Sequence, residues 1–132
     1  MKVEEIQIGD WVQNPLGWRA QVFGIRRIQA ITDEFEWRVK IGLNDDTFTD
    51  LSLGEIEPIT LTAEILEKNG FRHGCYVGGY YSPDCPFRVF TKTEGTCGFT
   101  TLFDDEIHFS CIFVHQLQHA LSLCGIEKEI TL

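Results

Sequence analysis

From Phe35 to Ile41 the chain alternates without a fault: Phe35, Trp37, Val39 and Ile41 fall on one side, and Glu36, Arg38 and Lys40 on the other. A period of two is the mark of a strand with one face in a core. Around it lie shorter stretches of the same kind. Gly9–Gln13 opens a strand, the Asn14-Pro15-Leu16-Gly17 stretch supplies a turn, and Arg19–Ile31 continues as a long mixed strand. In that strand Ala20, Val22 and Gly24 share one face, whereas Phe23, Ile25 and Ile28 do not keep the period, so a bend or bulge is expected at Gly24. Thr32–Glu34 and Asn44–Asp46 read as turns, Thr47–Leu53 as a further strand and Glu55–Pro58 as a short closing one.

Beyond Pro58 the period changes. Thr62 is a helix cap, Ala63–Asn69 forms about two turns and Gly70 ends them, with Ile65 and Leu66 facing a core. Residues 71–86 read as a strand end followed by an irregular loop rich in glycine and tyrosine. Phe87–Lys92, Cys97–Phe103 and Glu106–Ile112 read as three antiparallel strands, joined by turns at Glu94-Gly95 and Asp104-Asp105. A last helix runs from about Val114 to Gly125, with Val114, Leu117, Leu121 and Cys124 as its buried stripe.

The expected fold class is therefore α+β, mainly β. Residues 1–60, opening on G-D-W-V and closing on L-x-L-x-E-I-E-P-I, resemble an SH3-like small barrel. Residues 61–132 form a small helix, three-strand, helix unit, expected to pack against the barrel.

Composition narrows the function classes more than it names one. The 132 residues carry a net charge of −9, with six basic and eleven acidic residues in 1–60, and five and nine in 61–132. Acidity spread so evenly repels phosphate, so no direct nucleic-acid binding is expected. A basic protein partner fits it, as does an acidic inhibitor mimicking nucleic acid. The opening MKVEEIQIGDW lacks a basic segment followed by an apolar run, and no apolar stretch nears bilayer-spanning length. No signal peptide and no membrane contact are expected. The odd count of five cysteines, with no C-x-x-C, then reads as reduced thiols in a cytoplasmic protein.

The candidate chemistry centres on FVHQLQHALSLCG, Phe113–Gly125. His115 and His119 stand four apart on the expected helix, opposite the apolar stripe, and that spacing permits both imidazoles to reach one metal ion. In the H-E-x-x-H zinc hydrolase pattern a glutamate follows the first histidine; here Gln116 takes that place, and an amide is no general base. No third ligand is placed by spacing, although His73, His108, Cys75 and Cys111 are in the chain. Cys111 and Cys124 read as core thiols rather than nucleophiles. No cofactor is indicated.

Three aromatic residues remain as contact candidates: Trp18 after the Pro-Leu-Gly turn, and Tyr80 and Tyr81 in the loop Val77–Asp84. Trp37, by contrast, is expected to fill the barrel core.

Two segments taken together resemble an uncharacterised family of short proteins from gut bacteria of the Bacteroidetes group and their phages or mobile elements. They are EIEPITLTAEILEKNGF (Glu55–Phe71) and FVHQLQHALSLCGIEKEI (Phe113–Ile130). The resemblance implies a small protein of mobile-element type and carries over no catalytic residue. The expected function is a non-enzymatic module that binds a protein partner, with a metal-dependent hydrolase using His115 and His119 as the alternative. A homodimer is compatible with either.

Overall fold

The alternating stretch at Phe35 lies in the interior of a sheet. The computed structural model describes residues 1–29, 35–44, 47–73, 79–83, 85, 87–90, 99–103 and 106–132. The fold mixes helix and strand, with strands predominating, and the chain divides into two units, Met1–Ile59 and Thr60–Leu132.

The first unit contains β1 (Trp11–Gln13), β2 (Arg19–Gln29), β3 (Phe35–Asn44), β4 (Thr47–Ser52) and β5 (Glu57–Pro58). They pair antiparallel in the order β4-β3-β2-β1-β5. A single 3-10 turn, Leu53–Glu55, turns the chain after β4 so that β5 returns to β1, with Val12 opposite Pro58. Ser52 begins that turn, and its hydroxyl and backbone N–H both donate to Glu55 Oε1, at 2.9 and 3.2 Å. The core is built from Ile6, Val12, Ala20, Val22, Val39, Ile41, Leu51 and Ile56, with Met1, Ile25 and Leu53 at its margin.

The bend expected near Gly24 is present as a bulge. Val22 pairs with Ile41 and Gly24 with Lys40, so Phe23 between them has no partner on β3. One extra residue flips the parity of the strand. Ala20 and Val22 point inward before the bulge and Ile25 after it, which is why β2 shows no single period. The Phe23 ring instead meets Phe48 of β4 edge-on, with centroids 5.7 Å apart, and the Lys40 ammonium lies 4.9 Å from the Phe48 ring centre.

The second unit contains α1 (Ala63–Lys68), β6 (Arg72–His73), β7 (Tyr80–Tyr81), β8 (Phe87–Phe90), β9 (Phe99–Phe103), β10 (Glu106–Ser110) and α2 (Val114–Leu123). Thr62 caps α1, its hydroxyl accepting from the Ile65 N–H at 3.3 Å. Gly70, at φ 87°, supplies the left-handed residue that ends it, so that the Phe71 N–H returns to the Leu66 carbonyl. The entry to α2 is tied to the start of the unit by a bridge between Thr60 and Phe113 and by Leu61 N–H donating to the Ile112 carbonyl at 2.7 Å. Leu66, Phe71, Val89, Val114, Leu117 and Leu121 are fully buried.

The sheet of this unit differs from the expected three antiparallel strands. Its order is β6-β7-β8-β10-β9, and β10 runs parallel to β8, with Ile107 beside Phe87 and Ser110 beside Phe90. The connection from β8 to β9 steps over one strand position, and the local β9–β10 hairpin folds back to place β10 in it. Tyr80 and Tyr81 also leave the expected loop, forming a short strand that pairs with β6 and β8. The turns expected at Thr32–Glu34, Asp45–Asp46, Glu94-Gly95 and Asp104-Asp105, and the glycines and cysteine at 74–78, lie outside the described residues.

Candidate functional site

Trp37 does not fill the core. Past Ile25 and Val39 the inward face of the β2–β3 ribbon continues with Arg27 opposite Trp37 and Gln29 opposite Phe35. Core residues run out at Val39 because the strand facing it now presents polar partners. Trp37 is accordingly 37% exposed and Phe35 62% exposed. The Arg27 guanidinium stacks over the Phe35 ring, 3.9 Å from its centre. A cation held over an exposed ring in this way is stabilised by about 0.5–1 kcal/mol.

The reverse face of the ribbon is organised differently. Arg26 and Arg38 stand directly opposite one another, a repulsive arrangement that Asp50 resolves. Asp50 forms an ion pair with Arg26 and lies 3.5 Å from Arg38 Nε, while Arg38 also donates to the Asp50 carbonyl at 3.1 Å and approaches Glu36 at 3.4 Å. Charge is therefore balanced on this face, whereas aromatic surface is left uncovered on the other.

Trp18 is exposed, at 37%, as its place after the Pro-Leu-Gly turn suggests. Asn14 builds that turn: its side-chain oxygen accepts from the Leu16 and Trp18 N–H groups at 3.0 and 2.8 Å, and its own N–H donates to the Trp18 carbonyl. The turn sits at one end of β2 and the Phe35–Trp37 face near the other, separated by roughly 25 Å of strand at 3.3 Å per residue. The two aromatic sites are separate. Of the tyrosines, Tyr80 is half-buried against the His73 ring, with centroids 5.3 Å apart, and Tyr81 is 38% exposed, with the Arg88 guanidinium 5.3 Å from its ring centre.

The histidine pair also departs from expectation. His115 is only 5% exposed and His119 half-buried, so neither projects from a wet outer face. The reason is an aromatic stack at the start of α2: the Phe113 ring lies nearly parallel to His115 at 5.8 Å, and His119 meets His115 edge-on at 5.5 Å. Gln116, in the position a zinc hydrolase would give its base, is engaged in holding the helix end. Its side-chain oxygen accepts from the backbone N–H groups of Ile112 and Phe113, at 2.9 and 3.0 Å. No cluster of three metal-ligating side chains occurs among the described residues.

Of the thiols, Cys111 is buried and Cys85 half-buried. Cys124 is half-buried as well, at the end of α2 rather than within its buried stripe, and burial pushes its pKa up. The exposed pair Phe35 and Trp37, with Arg27, escaped sequence reading because their exposure depends on what β2 places opposite them. No helix among the described residues is long and apolar enough to cross a membrane. No family model, curated protein or solved structure matches the chain.

Proposed function

We propose that the protein is a non-enzymatic interaction module that engages a protein partner through the Phe35–Trp37 face of its first unit. The observation carrying this reading is the exposure of two neighbouring aromatic side chains on a strand face that is core a few residues further on. Single exposed apolar residues are ordinary. Two aromatics on one face beside an arginine have the composition that protein contacts favour. Trp18, Tyr80 and Tyr81 are further contact candidates in the same reading.

The first unit is read as an SH3-like barrel. The strand order β4-β3-β2-β1-β5, and the 3-10 turn that sends β5 back to β1, support that assignment. A phage or mobile-element origin rests on the resemblance of the Glu55–Phe71 and Phe113–Ile130 segments, and a cytoplasmic location on the cysteine pattern.

The test is a quantitative pull-down from bacterial lysate comparing wild type with Phe35→Ser, Trp37→Ala and, as a control, Leu123→Ser, another exposed apolar position. Proteins captured by wild type and the control, and lost with the first two variants, support the reading. Equal capture by all four, or none enriched by wild type, overturns it.

The alternative, a metal-dependent hydrolase, has the contact between the His115 and His119 rings in its favour and the engagement of Gln116 against it. Elemental analysis of untagged protein separates the two readings: a stoichiometric metal favours the hydrolase.

A further inference from the structure

The second sheet carries a row of residues that runs across its strands rather than along them. Arg72 of β6 stands opposite Tyr81 of β7. Tyr80 pairs with Val89, which sets Tyr81 beside Arg88 of β8, and Arg88 is level with His108 of the parallel strand β10. Directly paired residues share a face of a sheet. The alternate row, with His73, Tyr80 and Val89, is the inner one, since Val89 is fully buried. Arg72 and Tyr81 are exposed and Arg88 half-buried.

Three features of this row point to an anionic ligand. Residues 61–132 contain only five basic residues against nine acidic, yet two of the five stand on this single row. Strand spacing places the Arg72 and Arg88 backbones about 10 Å apart, with Tyr81 between them. The Tyr81 ring also holds the Arg88 guanidinium at 5.3 Å, which orients a planar fork suited to paired hydrogen bonds with a carboxylate. Glu106 is the acidic residue on the same face of β10, two positions from His108 and so displaced along the strand from the row.

We propose that the Arg72–Tyr81–Arg88 row docks an acidic segment of a partner protein, with successive carboxylates taken by the two guanidinium groups. A row across an open sheet face suits an extended peptide, whereas small molecules bind concave sites. The net charge of −9 disfavours a nucleic-acid backbone, whose affinity comes from many phosphate contacts at once. The strip lies wholly within the second unit, and the inference is independent of the Phe35–Trp37 face.

The test is fluorescence anisotropy of a fluorescein-labelled hexaglutamate peptide titrated with the full chain. Saturable binding is expected, weakened about tenfold by Arg72→Ala and by Arg88→Ala, and less by Arg72→Lys, which keeps the charge and loses the fork. Phe35→Ser is expected to leave it unchanged. Thermal melting accompanies each variant; if Arg88→Ala unfolds, the exposed Arg72 variants decide the matter alone. Three outcomes overturn the proposal: no saturable binding, equal weakening by Arg26→Ala in the first unit, or tighter binding of a single-stranded oligonucleotide than of the peptide.

Discussion

Asn69 and Thr131, sixty-two residues apart, hold each other through one carboxamide. The Thr131 N–H donates to Asn69 Oδ1 at 2.7 Å, and Asn69 Nδ2 donates to the Thr131 carbonyl at 2.8 Å and to the Ile65 carbonyl at 2.7 Å. Asn69 is buried at the end of α1, so each bond forms away from water. Asn69→Ala is expected to destabilise the protein by about 2–3 kcal/mol, since buried partners are left unsatisfied. Asn69→Asp keeps the acceptor and turns the donor into an oxygen facing two carbonyls, so its loss is expected to be at least as large. Urea denaturation measures both, and an aspartate variant as stable as wild type would contradict the geometry.

Two glycines of the first sheet should respond oppositely to a methyl group. A Cβ on Gly42 would stand 2.3 Å from the Thr47 carbonyl oxygen and 2.8 Å from Phe48 Cα, both backbone atoms of the neighbouring strand. At Gly24 the nearest atoms are those of the Lys40 side chain, at 3.5 Å, an ordinary contact. Gly42→Ala should therefore cost roughly 2 kcal/mol or more, as an overpacked site does. Gly24→Ala should be neutral or stabilising by up to about 1 kcal/mol, because alanine narrows the unfolded ensemble. Thermal unfolding of the two variants side by side makes the comparison.

Gln116 is assigned here to helix capping, and capping has a distinct mutational signature. Gln116→Ala should cost about 1–2 kcal/mol. Gln116→Glu retains an acceptor for the Ile112 and Phe113 N–H groups and adds negative charge near a helix N-terminus, so its stability should equal or slightly exceed that of wild type. Gln116→Met, similar in length and without a good acceptor, should behave like alanine. Chemical denaturation of the three variants checks the order, and a stable methionine variant would remove the assignment.

Acid should expose the role of Glu55. The two bonds from Ser52 favour its ionised form and hold its pKa below the model value of 4.5, with Arg38 adding a smaller effect in the same direction. A carboxyl with a depressed folded-state pKa contributes stability that is complete above its unfolded value and is lost as pH falls through the folded one. The stability of wild type should thus decline in the window below about pH 4.5, and Glu55→Gln should remove that part of the decline. Urea midpoints measured across this window for both proteins test it; parallel curves would show that Glu55 plays no part.

The sequence announces its elements well where period and punctuation agree. Alternation at Phe35–Ile41 and the apolar spacing from Val114 to Leu121 both correspond to real elements, and Thr62 and Gly70 mark the ends of α1 as their chemistry requires. Gly24 hinted at a bulge, although it is Phe23 that is left without a partner. Long-range relations were not legible. Nothing in Glu106–Ser110 indicates that it pairs parallel with β8, and nothing near Asn69 names Thr131. Burial failed at Trp37 and His115 for a related reason. The face of an element follows from its own period, but exposure depends on neighbours contributed by other parts of the chain, here Arg27 across the ribbon and Phe113 before the helix.

The placement of β10 between β8 and β9 also imposes an order of events. The β9–β10 hairpin is local and can form early, within microseconds for such elements, whereas the parallel pairing with β8 must wait for loop closure across the residues between them. The last closure is later still, because the carboxamide at the end of α1 has no partner until the chain has run on to Thr131. During synthesis on the ribosome, α1 would emerge first and stay unclasped while the sheet assembles, leaving its apolar face open to chaperones or to proteases until the final residues arrive.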